Sequence, residues 1–361
     1  MFTSQPAKHL GPKVRRRSLL SFSGGLVGAV GLDIGSSSVK AVALKRAVHG
    51  YKLLGLAAEE VPREADAASR SRAFQKVLAL VSHDKGLRIV TALAGPDSVL
   101  RVVVLPRMSR GELRAALSFE AEKYIPFKWE EVHLDFVILQ DLPAGRMEVL
   151  LAAARRTLLE EHLKPLQLAG IKPSAVDLEP LAIANAWQMT HPPGEPELKE
   201  GQEAAVLIYL GAQVTHLVFF LHSRFRFSRE ISMGGEAFTQ AIAQGLQVDA
   251  KEAERIKCRP TSSDAQVRPF LEPLWERWLT ECRATFDFYE THFGQKVAQV
   301  FWGGGCARLL GFKAWLEENG GFPIKEWNPA QGLFSEEDFL KREVHPGDFG
   351  VAMGLAAREL G

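Results

Sequence analysis

Short apolar runs separated by turn-forming residues follow a polar and basic beginning of the chain. Such runs predict β-strands, and a glycine between two of them marks a tight turn. His49-Gly50 is a turn of this kind, between the second and third strands. Five strands are predicted in this part of the chain, at 30–34, 38–44, 51–61, 88–94 and 99–105. One helix is predicted between the third and fourth strands, at 67–82.

The middle of the chain combines a helix signal with a hairpin. Ser109 and Glu112 have the spacing of a capping box, in which each side chain accepts a hydrogen bond from the other residue's backbone, and this predicts a helix through Lys123. Two strands joined by a short turn and one further helix are predicted next, at 132–140, 146–154 and 156–169.

The second half repeats this order after a segment rich in proline, glycine and charge at 191–201, which predicts a linker. Its strands are predicted at 204–210, 214–221, 224–231 and 297–302, and its helices after Gly234-Gly235, at 267–293 and at 350–360. Two halves of this kind predict an α/β protein with a pseudo-twofold axis and a central nucleotide cleft, as in the actin/hexokinase-like ATPase fold. The predicted division is a flexible basic lead at 1–27, a first domain at 28–200 and a second at 201–361.

One motif occurs in both halves: residues 30–44 align with residues 206–220, and Gly35 aligns with Gly211. Each copy is an apolar strand, a glycine turn and a second apolar strand. Two such turns can hold a polyphosphate between backbone N–H groups, because glycine allows the chain to approach closely. The candidate phosphate-binding residues are Asp33, Gly35, Ser36, Ser37, Ser38, Lys40, Gly211, Ala212, Gln213 and Thr215. Only the first copy has an acid before its turn, Asp33, which is suited to a metal–phosphate complex; the second has Tyr209.

Three further segments occur in the order that this fold requires. Glu179-Pro180 begins a helix and resembles the connecting segment of the seventy-kilodalton heat-shock chaperones. Two interpretations of Glu179 stay open: it is a catalytic-site acid that orients water or metal, or it is an acid at the helix start that the helix dipole favours. Glu254 and Lys257 follow Gly234 and Gly235 and share one face of a helix. They either contact the ribose and adenine of a nucleotide or form an ordinary ion pair at the surface. A buried strand ends in a glycine loop that can lie against the base, and its candidate residues are Gly303, Gly304, Gly305 and Arg308.

Composition narrows the possible partners and compartments. The chain has 44 Lys and Arg against 43 Asp and Glu, so its formal net charge of +1 argues against bulk affinity for nucleic acid. The three cysteines are far apart in the sequence, which favours a reducing cytoplasm over a disulfide framework. No apolar run reaches the length of a bilayer span.

Segments at 31–40 and 120–127 resemble the PilM family of type IV pilus assembly proteins, cytoplasmic actin-like proteins related to the cell-division protein FtsA. Segments at 150–155 and 168–173 add to a resemblance that covers about residues 28–361. The segment 120–127 is especially specific, since a generic ATPase does not require its aromatic–proline corner.

The resemblance implies an FtsA-type inserted subdomain at roughly 91–171 and binding of ATP in the central cleft. We expect Mg²⁺ at Asp33, held through water. It also implies binding of the N-terminal cytoplasmic peptide of a PilN-like bitopic membrane protein, in a groove beside the inserted subdomain. The chain would thereby be recruited to the inner face of the cytoplasmic membrane and join the pilus assembly platform, with a homo-oligomer as a further possibility. No nucleic acid is expected as a partner.

Tyr209 departs from the family pattern, in which an acidic residue usually stands in the second phosphate loop. A phenol cannot supply a carboxylate to the shell of Mg²⁺. We therefore expect ATP binding with negligible turnover.

Three alternatives stay open on the sequence. A sugar kinase of the same fold would need a catalytic base, for which Asp135 or Asp177 is available. An FtsA-like filament former would carry a membrane helix after the core, whereas this chain stops at Gly361. A component of the type II secretion platform would share the fold.

Overall fold

The structure is a computed structural model that describes residues 28–48, 50–62, 64–81, 86–192, 203–258, 264–309, 311–333 and 344–360. The predicted lead at 1–27 and residues 193–201 of the predicted linker lie outside the described residues. Of Arg308 only the backbone is described.

The first sheet is a mixed sheet of five strands built from the predicted meander. Its strands are β1 (Gly28–Ile34), β2 (Ser38–Arg46), β3 (Tyr51–Glu60), β4 (Arg88–Leu93) and β8 (Ala175–Leu178). They lie in the order β3-β2-β1-β4-β8, in which β1, β2 and β3 pair antiparallel while β4 is parallel to both β1 and β8. Helix α1 (Ala67–Val81) packs on this sheet through Phe74 and Val77, which are fully buried.

The second sheet has the same plan. Its strands are β9 (Glu203–Leu210), β10 (Thr215–Leu221), β11 (Arg224–Ile231), β12 (Lys296–Gly303) and β13 (Ile324–Glu326). Their order is β11-β10-β9-β12-β13, with an antiparallel meander followed by two parallel strands. The two sheets therefore have identical connectivity, and the duplication that the sequence predicts is a duplication of the whole sheet.

Two helices with several glycine or alanine residues pack against each other: α4 (Glu179–Thr190) and α9 (Gly350–Leu360). A Cβ atom at Gly354 would overlap the carbonyl oxygen of Ala182, and a Cβ atom at Gly31 would overlap that of Ala352. Glycine thus lets α9 approach both α4 and β1 at backbone contact distance. The second half of the chain also contains α5 (Gly235–Leu246), α6 (Ala250–Cys258), α7 (Asp264–Phe293) and α8 (Phe312–Gly320).

Residues Pro96–Glu161 form a compact unit of their own, and the described residues of 26–95 and 162–360 form the other. The smaller unit has a three-stranded sheet in the order β5-β7-β6, with β5 (Ser98–Pro106), β6 (Val132–Leu142) and β7 (Arg146–Arg155). Helix α2 (Arg110–Glu120) covers one face of it through Leu113 and Leu117. This unit lies inside the range 91–171 that we predict as an insert.

Most predicted elements are present within two or three residues of their predicted ends. The capping box is present: the Glu112 N–H donates to the Ser109 hydroxyl at 3.3 Å, and the Ser109 N–H donates to the Glu112 carboxylate at 2.7 Å. The helix predicted through Lys123 is shorter, however, because α2 ends at Glu120 and tightens into a 3-10 turn at Ala121–Lys123. The helix at 156–169 is α3 (Arg156–Leu168), while α8 and β13 are absent from the prediction.

Candidate functional site

The two glycine turns of the duplicated motif have the same hydrogen bond. The Gly35 N–H donates to the carbonyl oxygen of Ser38 at 3.0 Å, and the Gly211 N–H donates to that of Val214 at 2.9 Å. A Cβ atom at Gly35 or Gly211 would lie 3.0 Å or 2.9 Å from the same acceptor oxygens. A side chain would thus crowd the same acceptor oxygen in both turns, and the alignment of the two copies is confirmed at atomic level.

The tips of both turns present backbone N–H groups. Across the residues that the structure describes, the N–H groups of Ser36, Ser37, Ala212 and Gln213 donate no hydrogen bond to protein. Ser37 and Gln213 are exposed, and Ser36 and Ala212 are half-buried. Successive N–H groups of this kind form a concave site for an anion, so the donor set fits the phosphate groups of a nucleotide.

The second turn is fixed from its carbonyl side by the start of α5. The Gly235 N–H donates to the Gly211 carbonyl at 3.0 Å, and the Glu236 N–H donates to the Ala212 carbonyl at 2.7 Å. A Cβ atom at Gly234 would lie 2.6 Å from the Ala212 oxygen. The predicted residues Gly234 and Gly235 thus dock the helix onto the loop, and the N–H groups of the loop stay available for a ligand.

Asp33 and Lys40 are opposite each other on β1 and β2 and form an ion pair at 3.7 Å. Asp33 is buried, and burial raises the pKa of its carboxyl group to about 6 in spite of the opposing effect of Lys40. Ser38 lies beside this pair at the start of β2. An anionic Asp33 is hence costly to the folded protein without further compensation, and a nearby divalent cation would supply that compensation.

Tyr209 and His216 occupy the equivalent opposite positions on β9 and β10. The Tyr209 hydroxyl donates to the carbonyl oxygen of Gly347 at 3.2 Å, and its ring meets that of Trp327 edge-on at 6.2 Å between centroids. Burial raises the pKa of Tyr209 well above its usual value, so the phenol stays neutral. The second hairpin therefore offers no carboxylate where the first offers Asp33.

His216 links Glu179 to Glu230. Its Nε2 atom lies 2.8 Å from a carboxylate oxygen of Glu179, and its Nδ1 atom lies 3.9 Å from a carboxylate oxygen of Glu230. Burial by itself would lower the pKa of His216, but the hydrogen bond to Glu179 and the charges of Glu179, Glu230 and Asp33 together raise it. Glu179, the first residue of α4, is thus held by a specific partner rather than by the helix dipole alone.

Lys257 is buried and uses all three of its protons inside the protein. Its Nζ atom donates to the carbonyl oxygen of Gly235 at 3.1 Å, to the hydroxyl of Thr239 at 2.9 Å and to a carboxylate oxygen of Glu254 at 2.6 Å. Glu254 itself is half-exposed. The pair is therefore no ordinary surface ion pair: Lys257 anchors Glu254, and Glu254 is the member that can reach a ligand.

The glycine loop at 303–305 and the residue that follows it pack against the end of β9 and the start of α5. Gly304 has a φ of 101°, and a Cβ atom there would overlap the carbonyl oxygen of Leu210 at the end of β9. A Cβ atom at Gly235 would overlap the sulfur atom of Cys306. Gly303 and Gly305 flank this contact, and a Cβ atom at Gly305 would lie 3.2 Å from the carboxylate of Asp348. The structure thus brings the predicted loops of the second half together.

Two candidate residues have structural roles instead. Thr215 is fully buried; its hydroxyl donates to the carbonyl oxygen of Met233 at 2.7 Å and accepts from the indole of Trp278 at 3.0 Å, so it does not face the turn. Asp177, a possible kinase base, is ion-paired with Arg358 at 2.9 Å. Sequence position alone cannot reveal these partners, which come from distant elements.

Sequence reasoning missed the two histidines near Glu179. Besides His216, the Nε2 atom of His162 lies 3.0 Å from the hydroxyl oxygen of Thr91, and burial lowers the pKa of His162 to about 4. His216 had a detectable signal, because it is a polar residue that aligns with Lys40 in an otherwise apolar strand. His162 is one polar residue among several on α3 and had none.

Within the described part of the chain, no group of three or more His, Cys, Asp or Glu side chains is placed to hold a metal ion. Mg²⁺ does not need such a group, because it usually keeps several waters and binds one or two carboxylates together with phosphate oxygens. The single carboxylate of Asp33 is therefore compatible with a water-mediated magnesium site.

Among the described residues, no helix combines the length and the apolar character needed to cross a bilayer.

A family model described as type IV pilus assembly protein PilM matches residues 31–360 of this chain. A chain of the solved PilM-PilN type IV pilus biogenesis complex is 26% identical, with a TM-score of 0.80 over 93% of this chain and 100% of that chain. The ethanolamine utilization protein EutJ from Carboxydothermus hydrogenoformans is 14% identical, with a TM-score of 0.53 over 91% and 89% of the two chains.

The cell division protein FtsA of Bacillus subtilis is 26% identical over 153 residues, which are 38% of this chain and 33% of that protein. The chain thus matches about a third of the length of this curated relative. The likeness to EutJ concerns the fold alone. Together with the duplicated sheets, these similarities confirm the actin-like ATPase fold predicted from the sequence.

Proposed function

Because the chain belongs to the family of the type IV pilus assembly protein PilM, we propose that it is a nucleotide-binding scaffold of the type IV pilus assembly complex. It binds ATP between its two five-stranded sheets. It also binds the N-terminal cytoplasmic peptide of a PilN-like membrane protein. This partner recruits it to the inner face of the cytoplasmic membrane, where it joins the assembly platform and can form homo-oligomers.

The observation that carries the nucleotide proposal is the pair of matched glycine turns, whose tip N–H groups donate to no described residue of the protein. Ser36 and Ser37 donate to the phosphates from one side, and Ala212 and Gln213 donate from the other. Asp33 would hold Mg²⁺ through water, and the ion would there supply positive charge against the phosphates. The half-exposed carboxylate of Glu254 accepts hydrogen bonds from ribose hydroxyls, with Lys257 fixing its position.

We propose that turnover is negligible. Tyr209 is turned into the core and bonded to Gly347, so of the two equivalent hairpin positions Asp33 has the carboxylate and Tyr209 has none. Glu179 is the remaining acid that could orient a water molecule, and His216 restrains it. This site has one of the two carboxylates that are usual in the phosphate loops. Loss of the second carboxylate weakens stabilisation of the charge that develops during phosphoryl transfer more than it weakens binding of the nucleotide.

The partner proposal rests on the similarity to the PilM-PilN complex over nearly the whole chain. The family resemblance supports a peptide site that draws on the unit Pro96–Glu161. In this role the nucleotide site and the peptide site are separate features of one scaffold, and the protein acts by assembly rather than by catalysis.

Calorimetric titration tests the proposal. The full-length protein is titrated with Mg-ATP and then with a PilN-type N-terminal peptide, and a scrambled peptide serves as control. We expect one ATP and one peptide per chain, with no phosphate release above a blank without protein. Failure of the native peptide to bind would contradict the scaffold role, and steady phosphate release that is lost in Asp33→Ala would contradict the absence of turnover.

A further inference from the structure

A chain of polar contacts runs from Glu179 at the start of α4 to Gly95, two residues after the end of β4. Glu179 contacts His216 at 2.8 Å, His216 faces Glu230 at 3.9 Å, and Glu230 accepts a hydrogen bond from the Gly95 N–H at 3.1 Å. Gly95 follows a strand of the first sheet, whereas His216 and Glu230 belong to the second. These contacts therefore join the two halves of the larger unit beside the proposed nucleotide site.

The side chain of His216 is only 1% exposed, so water cannot complete its hydrogen bonds. The Nε2 atom lies within hydrogen-bond distance of a Glu179 carboxylate oxygen, whereas the buried Nδ1 atom has no hydrogen-bond partner among the described residues and faces a Glu230 carboxylate oxygen at the ion-pair distance of 3.9 Å. An ionised carboxylate can only accept. A neutral ring would turn the lone pair of one nitrogen toward one of these oxygens. The doubly protonated ring places an N–H on both sides, which is the arrangement that both carboxylates favour.

Among the residues that the structure describes, no other cation is directed at this point. The groups that act on His216 are Glu179, Glu230 and Asp33, all acidic. Lys40 is directed to Asp33 at 3.7 Å, and burial keeps His162 neutral at ordinary pH. His216 is thus placed to balance the negative charge of Glu179.

We propose that His216 is a cationic positioning residue that bridges Glu179 and Glu230 and thereby holds the Glu179 carboxylate at the edge of the nucleotide site. Two ion pairs then position the two acids: Lys40 fixes Asp33, and His216 fixes Glu179. The role of the bridge in ligand binding rests on the proposed nucleotide site, whereas the bridge itself does not.

The first experiment examines the bridge without any ligand. Nitrogen-15 spectra of the histidine side chains in the full-length protein at pH 7 are compared with those of Glu179→Gln and Glu230→Gln, and His216→Gln identifies the signal. We expect both ring nitrogens of His216 to carry protons in the natural protein, and one to lose its proton in Glu179→Gln. A neutral His216 ring in the natural protein would overturn the proposal. Since Glu230 is partly exposed, Glu230→Gln provides a folded variant even if His216→Gln does not fold.

The second experiment asks whether His216 acts through Glu179. Mg-ATP affinity is measured for His216→Gln, Glu179→Gln and the double variant, with His133→Gln on the exposed surface of the smaller unit as control. We expect each single variant to bind roughly tenfold more weakly, as for the loss of about 1.4 kcal/mol. The double variant should bind no more weakly than Glu179→Gln alone, because the two residues act as one unit.

Losses that multiply in the double variant would show that His216 acts independently of Glu179 and would overturn the positioning role. If the natural protein binds no nucleotide, the proposed nucleotide site is wrong, and the nitrogen spectra still decide whether the bridge exists. The two proposals can therefore fail separately.

Discussion

The hydroxyl group of Tyr209 donates a hydrogen bond to the carbonyl oxygen of Gly347, 3.2 Å away. Gly347 lies in the 3-10 turn Pro346–Phe349, directly before α9. The phenol thereby joins the end of β9 to the start of α9 and fills the space beside Trp327. Where the first hairpin has an acid near the phosphate turn, the second has a core side chain.

Restoring an acid at this position should damage the protein rather than create a metal site. Tyr209→Asp removes a buried aromatic ring and leaves a carboxylate without a cation, so we expect a loss of about 3–5 kcal/mol in the free energy of unfolding. Tyr209→Phe, the matched control, loses only the hydrogen bond, at about 1–2 kcal/mol. Urea unfolding measures both. An Asp variant as stable as the Phe variant would show that the site is open to solvent.

Asp33 should lower the stability of the ligand-free protein at neutral pH. Its pKa is raised from 3.8 to about 6, so the folded state holds a proton between these values that the unfolded state has lost. The contribution of Asp33 to stability is then fully present below about pH 4 and is lost as the pH rises through about 6. Asp33→Asn does not titrate and should gain up to about 3 kcal/mol over the natural protein above pH 7.

Unfolding curves at pH 4 to 8 measure this difference, with Glu59→Gln as control, since Glu59 pairs with Lys76 at the surface. The control should show little change at any pH. The same Asp33→Asn variant should bind Mg-ATP more weakly than the natural protein. A constant stability difference across the range would mean that Asp33 is solvated.

The contact between α4 and α9 should not tolerate a side chain at Gly354. A Cβ atom there would overlap the Ala182 carbonyl oxygen, so Gly354→Ala must separate two central helices. We expect a loss of more than about 3 kcal/mol, or failure to fold. Gly111→Ala is the control, because nothing lies within 4 Å of a Cβ atom on this exposed residue of α2 and alanine favours a helix. Equal stability of the two variants would contradict the close crossing.

Lys257 should act on nucleotide binding through Glu254. Lys257→Met removes the charged donor that the Gly235 carbonyl and the Glu254 carboxylate share and leaves them the Thr239 hydroxyl, and we expect a loss of about 2 kcal/mol in the free energy of unfolding. ATP affinity should fall as well, since Glu254 loses its fixed position. Lys251→Met, at an exposed position of the same helix, should change neither quantity. Stability and ATP affinity are measured by urea unfolding and calorimetry. Unchanged ATP affinity in a folded Lys257→Met variant would show that Glu254 does not contribute to nucleotide binding.

The sequence by itself determined the features that depend on neighbouring residues. Strand and helix positions follow from local apolar patterns, the start of α2 follows from the spacing of Ser109 and Glu112, and the matched turns follow from Gly35 and Gly211. Duplication of these local patterns was enough to predict two similar halves. Such features are visible because the interactions that fix them are short in sequence.

The tertiary structure decided which polar residues share the site. His216 meets Glu179 only because β10 and the start of α4 lie together, and Lys257 is buried only because α5 and α6 pack closely. Tyr209 is a core residue because the turn before α9 supplies its acceptor. The charge state of each group depends on burial and on partners distant in sequence, so the chemistry of the site could not be read from its motifs alone.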